Sequence, residues 1–292
     1  MQKISKKGLV SVMMPVYNGM PDIQASIKSL LLQTYSNWEC IIVNDGSTDG
    51  TGQYIDSLSD TRFVIHHFEK NKGRPYARQK ALDLAQGEYI AMLDADDLIH
   101  PDKLQIQVDL LEKYSEVYLV ASGICSFGTN VDFIKIRCKG DNKIYPYSIS
   151  EKFPVAHACS ILRRDWAIQF KYNPELLLGQ DVDYLRRYLD GKKYINLDRV
   201  LYYYSEFDSM TKKKIRGAYR LYIKKFLKAK EYRNSTEYLM KYIYATLVFP
   251  FMKIGTILKK RGIAPTALEL DEYNKYCKKI LDKKQDESTS IS

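Results

Sequence analysis

The chain has 292 residues, of which 45% are hydrophobic, and its 45 Lys and Arg against 35 Asp and Glu give a formal net charge of +10. This composition supports a real core and excludes a disordered chain. The five cysteines are scattered and form no CxxC pair, which argues against a disulfide framework and for a cytoplasmic protein with reduced thiols.

The positive charge lies in the C-terminal part of the sequence. Residues 212–292 contain 20 Lys and Arg against 8 Asp and Glu, a net +12, whereas residues 1–211 are close to neutral. This split favours a body over 1–211 and a basic helical extension over 212–285, followed by a tail at 286–292 that we expect to be disordered. It argues against a protein that coats nucleic acid along its length.

Apolar runs alternate with amphipathic or capped segments in the first hundred residues. The predicted strands are Leu9–Val16, Trp38–Val43, Phe63–Ile65 and Tyr89–Leu93. The predicted helices are Asp22–Leu32, with Leu31 on its apolar face, Thr51–Leu58, which Ser47 or Thr48 can cap, and a third from Pro75 to Gly87. Helical connections of this length predict parallel strands, and hence an α/β fold.

Beyond residue 117 this alternation gives way to shorter strand-like runs and one clear helix, Asp181–Leu189. The runs are Val117–Ser122, Phe133–Ile136, Ala158–Leu162, Tyr194–Leu197 and Val200–Tyr204. We interpret this part as the acceptor side of an α/β enzyme.

Polar residues follow the first four runs, and in parallel sheets ligands bind at the carboxyl ends of the strands. After the fourth run three carboxylates occupy four positions, at Asp94, Asp96 and Asp97. Like charges this close repel unless a cation or hydrogen-bond donors compensate. The sequence contains neither GxGxxG in its first turn nor GxxxxGKS/T anywhere, which argues against a dinucleotide enzyme and a P-loop NTPase.

Five motifs in order resemble those of the family 2 glycosyltransferases, which are inverting enzymes of the GT-A fold. They are PVYN (Pro15–Asn18), VNDGSTDGT (Val43–Thr51), NKGRPYAR (Asn71–Arg78), LDADD (Leu93–Asp97) and GQDVDY (Gly179–Tyr184). The resemblance implies a Rossmann-like α/β domain with a mostly parallel central sheet, flanking helices and a C-terminal helical extension.

The same resemblance implies a nucleotide-sugar donor, with UDP the expected nucleotide, and a divalent cation, Mn²⁺ or Mg²⁺. Asp96 matches the metal ligand, and Asp94 is expected to touch the ribose, or the metal through water. We assign Asp97 mainly to capping of a helix near Pro101. The other expected donor-binding residues are Pro15, Tyr17, Asn18, Asp45, Arg78 and Ala95. Gln79 stands where the family usually has Asn.

Asp181 occupies the position of the family's general base, at a helix start where the dipole favours an ionised carboxylate. Its alternative role, shared with Asp183, is helix capping. Gln180 replaces the usual Glu and is a candidate acceptor-binding residue. His157 is a second candidate for the acceptor pocket, with a packed core histidine as the alternative. Glu206 stands where the family often has His, and its role stays open.

The resemblance therefore implies transfer of a sugar to an acceptor hydroxyl, in surface polysaccharide or glycolipid synthesis on a carbohydrate or lipid-linked acceptor. A metal-dependent nucleotidyltransferase is one alternative, but it needs a basic phosphate-binding loop that the turn GMPDI does not offer. A non-catalytic nucleotide-sugar-binding protein is another, although the DxD pair and the candidate base are both present.

The C-terminal region joins basic and apolar stretches. Its apolar segment Tyr242–Leu258 is short for a membrane span and contains Pro250 and Lys253, and Lys259–Arg261 follow it. The pattern suits interfacial helices that bind anionic lipid through residues 212–261, peripheral to the inner face of the plasma membrane. A helical subdomain packed on the body, or a dimer surface, is an alternative of equal weight.

Overall fold

The computed structural model divides into two compact units. It describes residues 5–127, 134–176, 179–205, 220, 223, 232–247, 262–278 and 280–281. The first unit comprises Met1–Cys125, Cys138–Tyr204 and Pro265–Ser292, and the second comprises Ser126–Arg137 and Ser205–Ala264. The domain boundary predicted after residue 211, the tail at 286–292 and Glu206 lie outside the described residues, so these expectations stay predictions.

The described residues form parallel and antiparallel strands, most of which belong to the first unit. The described strands are β1 (Lys6–Val16), β2 (Trp38–Asn44), β3 (Phe63–His67), β4 (Gly87–Met92), β5 (Leu98–Ile99), β6 (Val117–Phe127), β7 (Lys135–Arg137), β8 (Ile144–Pro146), β9 (Ile161–Arg163) and β10 (Lys193–Ser205). Eight of them lie in the order β3-β2-β1-β4-β9-β6-β10-β5. The first four strands pair in parallel, as predicted, and β9 adds antiparallel to β4.

Helices connect and flank these strands. The described helices are α1 (Asp22–Leu31), α2 (Thr51–Asp56), α3 (Arg74–Leu84), α4 (Lys103–Lys113), α5 (Arg164–Ala167), α6 (Gln180–Leu189), α7 (Tyr232–Leu247) and α8 (Ala267–Tyr273), which one π-helical turn, Asn274–Lys278, continues. Among these described helices, none is both long and apolar enough to cross a bilayer.

Local details of the helices differ from the predictions. Leu31 is 45% exposed although the α1 residues Ile23 and Ile27 are buried, so the apolar face is narrower than predicted. At the start of α2 the Thr51 amide donates to Asp49, not to the predicted caps Ser47 or Thr48. Asp49 is close enough to bend its carboxylate onto that amide because only one residue separates them.

The runs Tyr194–Leu197 and Val200–Tyr204 form one continuous strand, β10. Asp198 and Arg199 interrupt the apolar pattern there but not the extended backbone. The Asp198 carboxylate points outward and pairs with Lys139 Nζ at 2.8 Å, which lets two charged residues lie within a strand. Of the strand predicted at Ala158–Leu162, only the last two residues are in a strand, because β9 spans Ile161–Arg163.

The parallel register brings the ends of the first strands to one edge. Val16 of β1 lies opposite Asn44 of β2, which in turn lies opposite His67 of β3. On the other side of β1, Met13 lies opposite Met92 of β4. Every residue of β2 is buried. A rigid, fully packed sheet centre therefore presents the loops after β1, β2, β3 and β4 side by side.

The segment from Pro265 onward packs on the first unit. Thr266 and Glu269 form a capping box at the start of α8. Glu269 pairs with Lys139 at 2.9 Å, and Tyr273 is buried with its ring 6.1 Å from that of Tyr203. The described residues 265–278 therefore pack as part of the first unit.

The second unit, in its described part, contains β7 and α7. Ile136 and Ile263 exchange two backbone hydrogen bonds of 2.9 Å. The Arg220 guanidinium donates to the Tyr242 hydroxyl at 2.7 Å. Several large apolar side chains of α7 face solvent, which is unusual for a helix whose role is only to pack.

Candidate functional site

Asp45 holds the loop between β3 and α3. The residue is buried at the end of β2, and its two carboxylate oxygens accept the backbone N–H groups of Lys72 and Gly73 at 2.7 and 2.8 Å. Gly46 has φ +71°, and a Cβ there would lie 2.6 Å from the backbone of the adjoining loop, at Lys70 C. Only glycine allows this approach. Asp45 is thus fixed in place at the predicted nucleoside end of the site.

A second set of hydrogen bonds joins the loops after β1 and β2. The Asn18 side-chain oxygen accepts the Thr48 N–H at 2.8 Å, and the Asn18 N–H donates to Ser47 Oγ at 2.9 Å. The amide of Asn18 is therefore engaged within the protein, whereas the neighbouring Tyr17 is 51% exposed. Of these two predicted donor-binding side chains, Tyr17 is the one presented to solvent.

A polar chain that the sequence analysis missed supports the end of β2. Asn44 accepts the Ser47 N–H and lies 3.0 Å from His67 Nδ1, while His67 Nε2 lies 2.9 Å from Asp56. Because the Asn44 amide nitrogen can only donate, His67 Nδ1 accepts and Nε2 donates to Asp56. The chain fixes the residue that precedes Asp45. The only sequence signal for it was a polar residue at the end of each strand.

The carboxylates after β4 have separate surroundings. Asp94 is partly exposed, and one of its oxygens lies 3.4 Å from Arg78 Nη2. Asp97 is fully buried and accepts the Tyr202 hydroxyl at 2.7 Å. The predicted capping role of Asp97 is wrong, because α4 begins at Lys103 and Asp97 is occupied by Tyr202 in the core.

Asp96 carries the strongest sign of uncompensated negative charge. Solvent reaches its carboxylate, but protein atoms crowd it, and this partial desolvation together with the charge of Asp94 raises the pKa of Asp96 to about 6. Two hard oxygen donors that repel each other suit a divalent cation such as Mn²⁺ or Mg²⁺. Within the described residues no group of three or more His, Cys, Asp or Glu is preassembled. Any cation bound here would take further ligands from elsewhere.

A buried cation lies between this carboxylate pair and the predicted base. Arg78 is 5% exposed. Its burial alone would lower its pKa, but the charges of Asp94 and Asp181 outweigh that effect and raise the pKa. Burial likewise opposes ionisation of Asp181, yet the Arg78 guanidinium lowers the pKa of Asp181 below its usual value. Asp181 at the start of α6 is therefore an ionised carboxylate at neutral pH.

The two predicted acceptor residues are both buried. His157 is 5% exposed and Gln180 is 3% exposed. His157 Nε2 lies 2.9 Å from the Tyr172 hydroxyl, and burial and the charge of Arg78 lower the pKa of His157 to about 4. Its imidazole is thus neutral. Tyr172 was missed because nothing in its local sequence distinguishes it from the many other tyrosines of the chain.

Ala95 is buried between the two site aspartates, and Pro15 is half-buried at the end of β1. The structure therefore brings Asp45, Arg78, Asp94, Asp96 and Asp181 to the loops at one end of the sheet and one helix start. Their assigned roles in donor and metal binding stay predictions.

The fold is similar to that of two solved structures. The fold matches Staphylococcus aureus TarS in complex with UDP, with a TM-score of 0.57 at 20% identity, over 84% of this chain and 75% of that one. It also matches the mannosyltransferase PcManGT from Pyrobaculum calidifontis in complex with GDP-Man and Mn²⁺, with a TM-score of 0.58 at 16% identity, over 86% and 72% of the chains. The fold is that of the GT-A glycosyltransferases.

Comparisons of sequence give the family. The Glycosyl transferase family 2 model matches residues 11–170, more than half of the chain, and the protein belongs to that family. A related protein is the Escherichia coli UDP-Glc:alpha-D-GlcNAc-diphosphoundecaprenol beta-1,3-glucosyltransferase WfgD, which is 43% identical over 105 residues, 36% of this chain. The chain spans 42% of the length of WfgD, less than half of it.

The close approach at Gly46 gives a first testable prediction. Gly46→Ala should lower the free energy of unfolding by about 1–3 kcal/mol, because the added Cβ would clash with the loop backbone and because alanine is strained at a positive φ. Gly191→Ala is the matched control, since Gly191 has φ +69° and a Cβ there meets nothing within 4 Å. Urea denaturation measures both. Equal losses in the two variants would show that the packing of the two loops does not require glycine.

Proposed function

We propose that this protein transfers a sugar from a nucleotide-diphosphate donor, with UDP as the nucleotide, to an acceptor hydroxyl with inversion at the anomeric carbon. One observation carries the proposal. The guanidinium of the buried Arg78 lies 3.4 Å from Asp94, and its charge also lowers the pKa of Asp181, so one cation acts on both a metal-type carboxylate pair and an ionised candidate base. Membership of Glycosyl transferase family 2 supports the same reaction class.

Asp96, with Asp94, would hold Mn²⁺ or Mg²⁺. A bound cation neutralises the developing charge of the leaving nucleoside diphosphate. Mn²⁺ in the PcManGT complex and UDP in the TarS complex support these choices of cation and nucleotide. Asp45 and the exposed Tyr17 would bind the nucleoside, with Pro15, Asn18 and Ala95 shaping the same wall.

Asp181 would act as the general base. The acceptor oxygen forms a bond to the anomeric carbon as the bond from that carbon to the diphosphate oxygen breaks, and Asp181 takes the hydroxyl proton. Attack from the face opposite the diphosphate inverts the configuration. Arg78 keeps Asp181 ionised and therefore ready to accept the proton. Because Gln180 and His157 are buried, we assign them to support of the acceptor wall and not to direct contact with the sugar.

The acceptor would be a carbohydrate or lipid-linked sugar of surface polysaccharide or glycolipid synthesis. The name of WfgD, a glucosyltransferase that acts on a diphosphoundecaprenol-linked sugar, supports this class. A nucleotidyltransferase and a non-catalytic binding protein are not favoured, because the chain belongs to a glycosyltransferase family and keeps both Asp96 and Asp181.

We extend the proposal to a cytoplasmic protein that binds the anionic inner face of the membrane through residues 212–261. Leu239, Met240, Ile243 and Leu247 recur at helical spacing on α7 and are between 40% and 65% exposed. This apolar face lies in the part of the sequence that carries a net +12 from 212 to 292. An apolar face beside basic residues complements an anionic bilayer surface.

Asp181→Asn should lower sugar transfer by roughly 10²–10⁴ while donor affinity is kept, because the amide cannot accept the proton. UDP release from UDP-glucose and UDP-GlcNAc measures the transfer, and calorimetry with UDP measures affinity. Asp183→Asn is the control, since Asp183 is on the same helix but pairs with Arg187 at 2.8 Å. Near-normal turnover of Asp181→Asn would place the base elsewhere.

Asp96→Ala should abolish the Mn²⁺ dependence of UDP binding and leave the fold intact, because the loop after β4 already carries excess negative charge. Calorimetric titration with UDP, with and without Mn²⁺, tests this. Asp102→Ala, which removes another exposed carboxylate beyond that loop, should bind UDP as the unaltered protein does. Unchanged Mn²⁺ dependence in Asp96→Ala would contradict the metal assignment.

The full chain should co-sediment with phosphatidylserine-containing vesicles at low salt and much less with phosphatidylcholine vesicles, since each basic residue near the surface contributes about 1 kcal/mol. The double variant Met240→Glu/Leu247→Glu should bind roughly 10²–10⁴-fold more weakly, because burial of each large apolar side chain contributes roughly 1.5–3 kcal/mol.

Leu268→Glu is the control for that experiment, because Leu268 is 69% exposed but lies on α8 of the first unit. Equal sedimentation with both vesicle types would remove the electrostatic part of the proposal. Absence of sedimentation, or the same loss in Leu268→Glu, would favour a packed subdomain or a dimer surface.

A further inference from the structure

Tyr172 makes three contacts with three different parts of the first unit. Its N–H donates to Gln79 Oε1 at 3.0 Å. Its hydroxyl lies 2.9 Å from His157 Nε2. Its ring stacks on that of Tyr184, with centroids 4.2 Å apart and planes within 10°. Because both the backbone N–H and the side-chain hydroxyl of Tyr172 are hydrogen-bonded, its position is strongly fixed.

Each partner of Tyr172 lies close to Arg78 or Asp181, the residues of the proposed reaction. Gln79 follows Arg78 on α3, and Tyr184 is one turn after Asp181 on α6. The charges of Arg78 and Asp181 shift the pKa of His157 in opposite directions, which places the neutral imidazole near both side chains. We propose that Tyr172 is a positioning residue that holds Arg78 and Asp181 in register through His157. This inference rests on the proposed role of Asp181 as base.

The hydroxyl of Tyr172 is the group that orients the imidazole. His157 is buried, and its Nδ1 has no hydrogen-bond partner among the described residues. The bond between Nε2 and the Tyr172 hydroxyl is thus the hydrogen bond that sets the rotation of the ring, and the hydroxyl can serve either imidazole tautomer because it both donates and accepts. A freely rotating ring beside Asp181 and Arg78 would change the field that the base experiences.

The departure from the family pattern at residue 79 fits this arrangement. Gln79 Oε1 accepts the Tyr172 N–H, while its Nε2 donates to Asp83 at 2.8 Å. The extra methylene of Gln, compared with Asn, lengthens the reach from α3 to the loop before α6. Gln79 therefore links the helix of Arg78 to the loop that leads into the helix of Asp181.

The experiment removes one oxygen atom. Tyr172→Phe keeps the stacking and the backbone bond to Gln79 but loses the bond to His157. We expect kcat for UDP release from UDP-glucose or UDP-GlcNAc to fall about tenfold, as for other losses of catalytic positioning, with KM for the donor and the Kd of UDP within about twofold.

Tyr188→Phe is the matched control. Tyr188 is equally buried on α6, but its hydroxyl bonds to the Arg163 N–H and to the Tyr118 carbonyl. This variant should lower the melting temperature and leave kcat unchanged. An unchanged kcat in Tyr172→Phe, or an equal fall in Tyr188→Phe, would overturn the proposal.

A double variant tests the route through His157. His157→Phe alone should lower kcat about tenfold, and Tyr172→Phe/His157→Phe should be no slower than either single variant, because both remove the same link. Multiplication of the two effects to about a hundredfold would overturn the route. If Asp181→Asn is inactive while Tyr172→Phe turns over normally, only this inference fails. If Asp181→Asn is active, the proposed function fails first.

Discussion

The buried guanidinium of Arg78 is the interaction on which the candidate site depends. A charge removed from water is stable in a protein only if opposite charges or hydrogen bonds replace its hydration. Here the opposite charges are Asp94, after a central strand, and Asp181, at a helix start, which are far apart in sequence. One cation therefore stabilises the ionised forms of both a carboxylate at the proposed donor end and the proposed base. The positive charge of Arg78 also reduces the cost of removing the ionised Asp94 and Asp181 from water.

The two ends of the site differ in how they are made rigid. At the nucleoside end, backbone amides donate to Asp45, and Gly46 lets the loops touch. At the base end, stacked aromatic rings provide the rigidity. Tyr172 stacks on Tyr184, which lies on the same helix as the partly exposed Asp181. The close backbone contact at the nucleoside end requires glycine at position 46. The stacking at the base end requires only side chains of suitable shape. We therefore expect the base end to accept sequence variation more readily than the nucleoside end.

Much of the fold and of the site could be predicted because the signals are local. Apolar runs separated by helix-length segments gave the parallel strands, and the residues that follow the runs include Asp45 and Asp94. The assignment of Arg78 and Asp181 needed the family resemblance, since no periodicity joins them. Tyr172 could not be predicted, because its role comes from contacts with partners remote in sequence. The continuous strand β10 was missed because Asp198 and Arg199 interrupt its apolar pattern, whereas packing of the C-terminal region on the body was one of the alternatives that the sequence left open.

The path of the chain between the two units has a consequence for folding. Residues 205–264 leave the first unit after β10, and the chain returns with α8, whose Tyr273 is buried beside Tyr203. A second-unit segment, residues 205–264, thus lies in sequence between β10 and α8 of the first unit, and residues 126–137 complete the second unit. During synthesis the first unit cannot bury Tyr203 against Tyr273 until residues near 273 have emerged, about seventy residues after β10. The surface that α8 later covers, including the buried His100, stays exposed in the nascent chain for that interval, and this long-range closure slows folding.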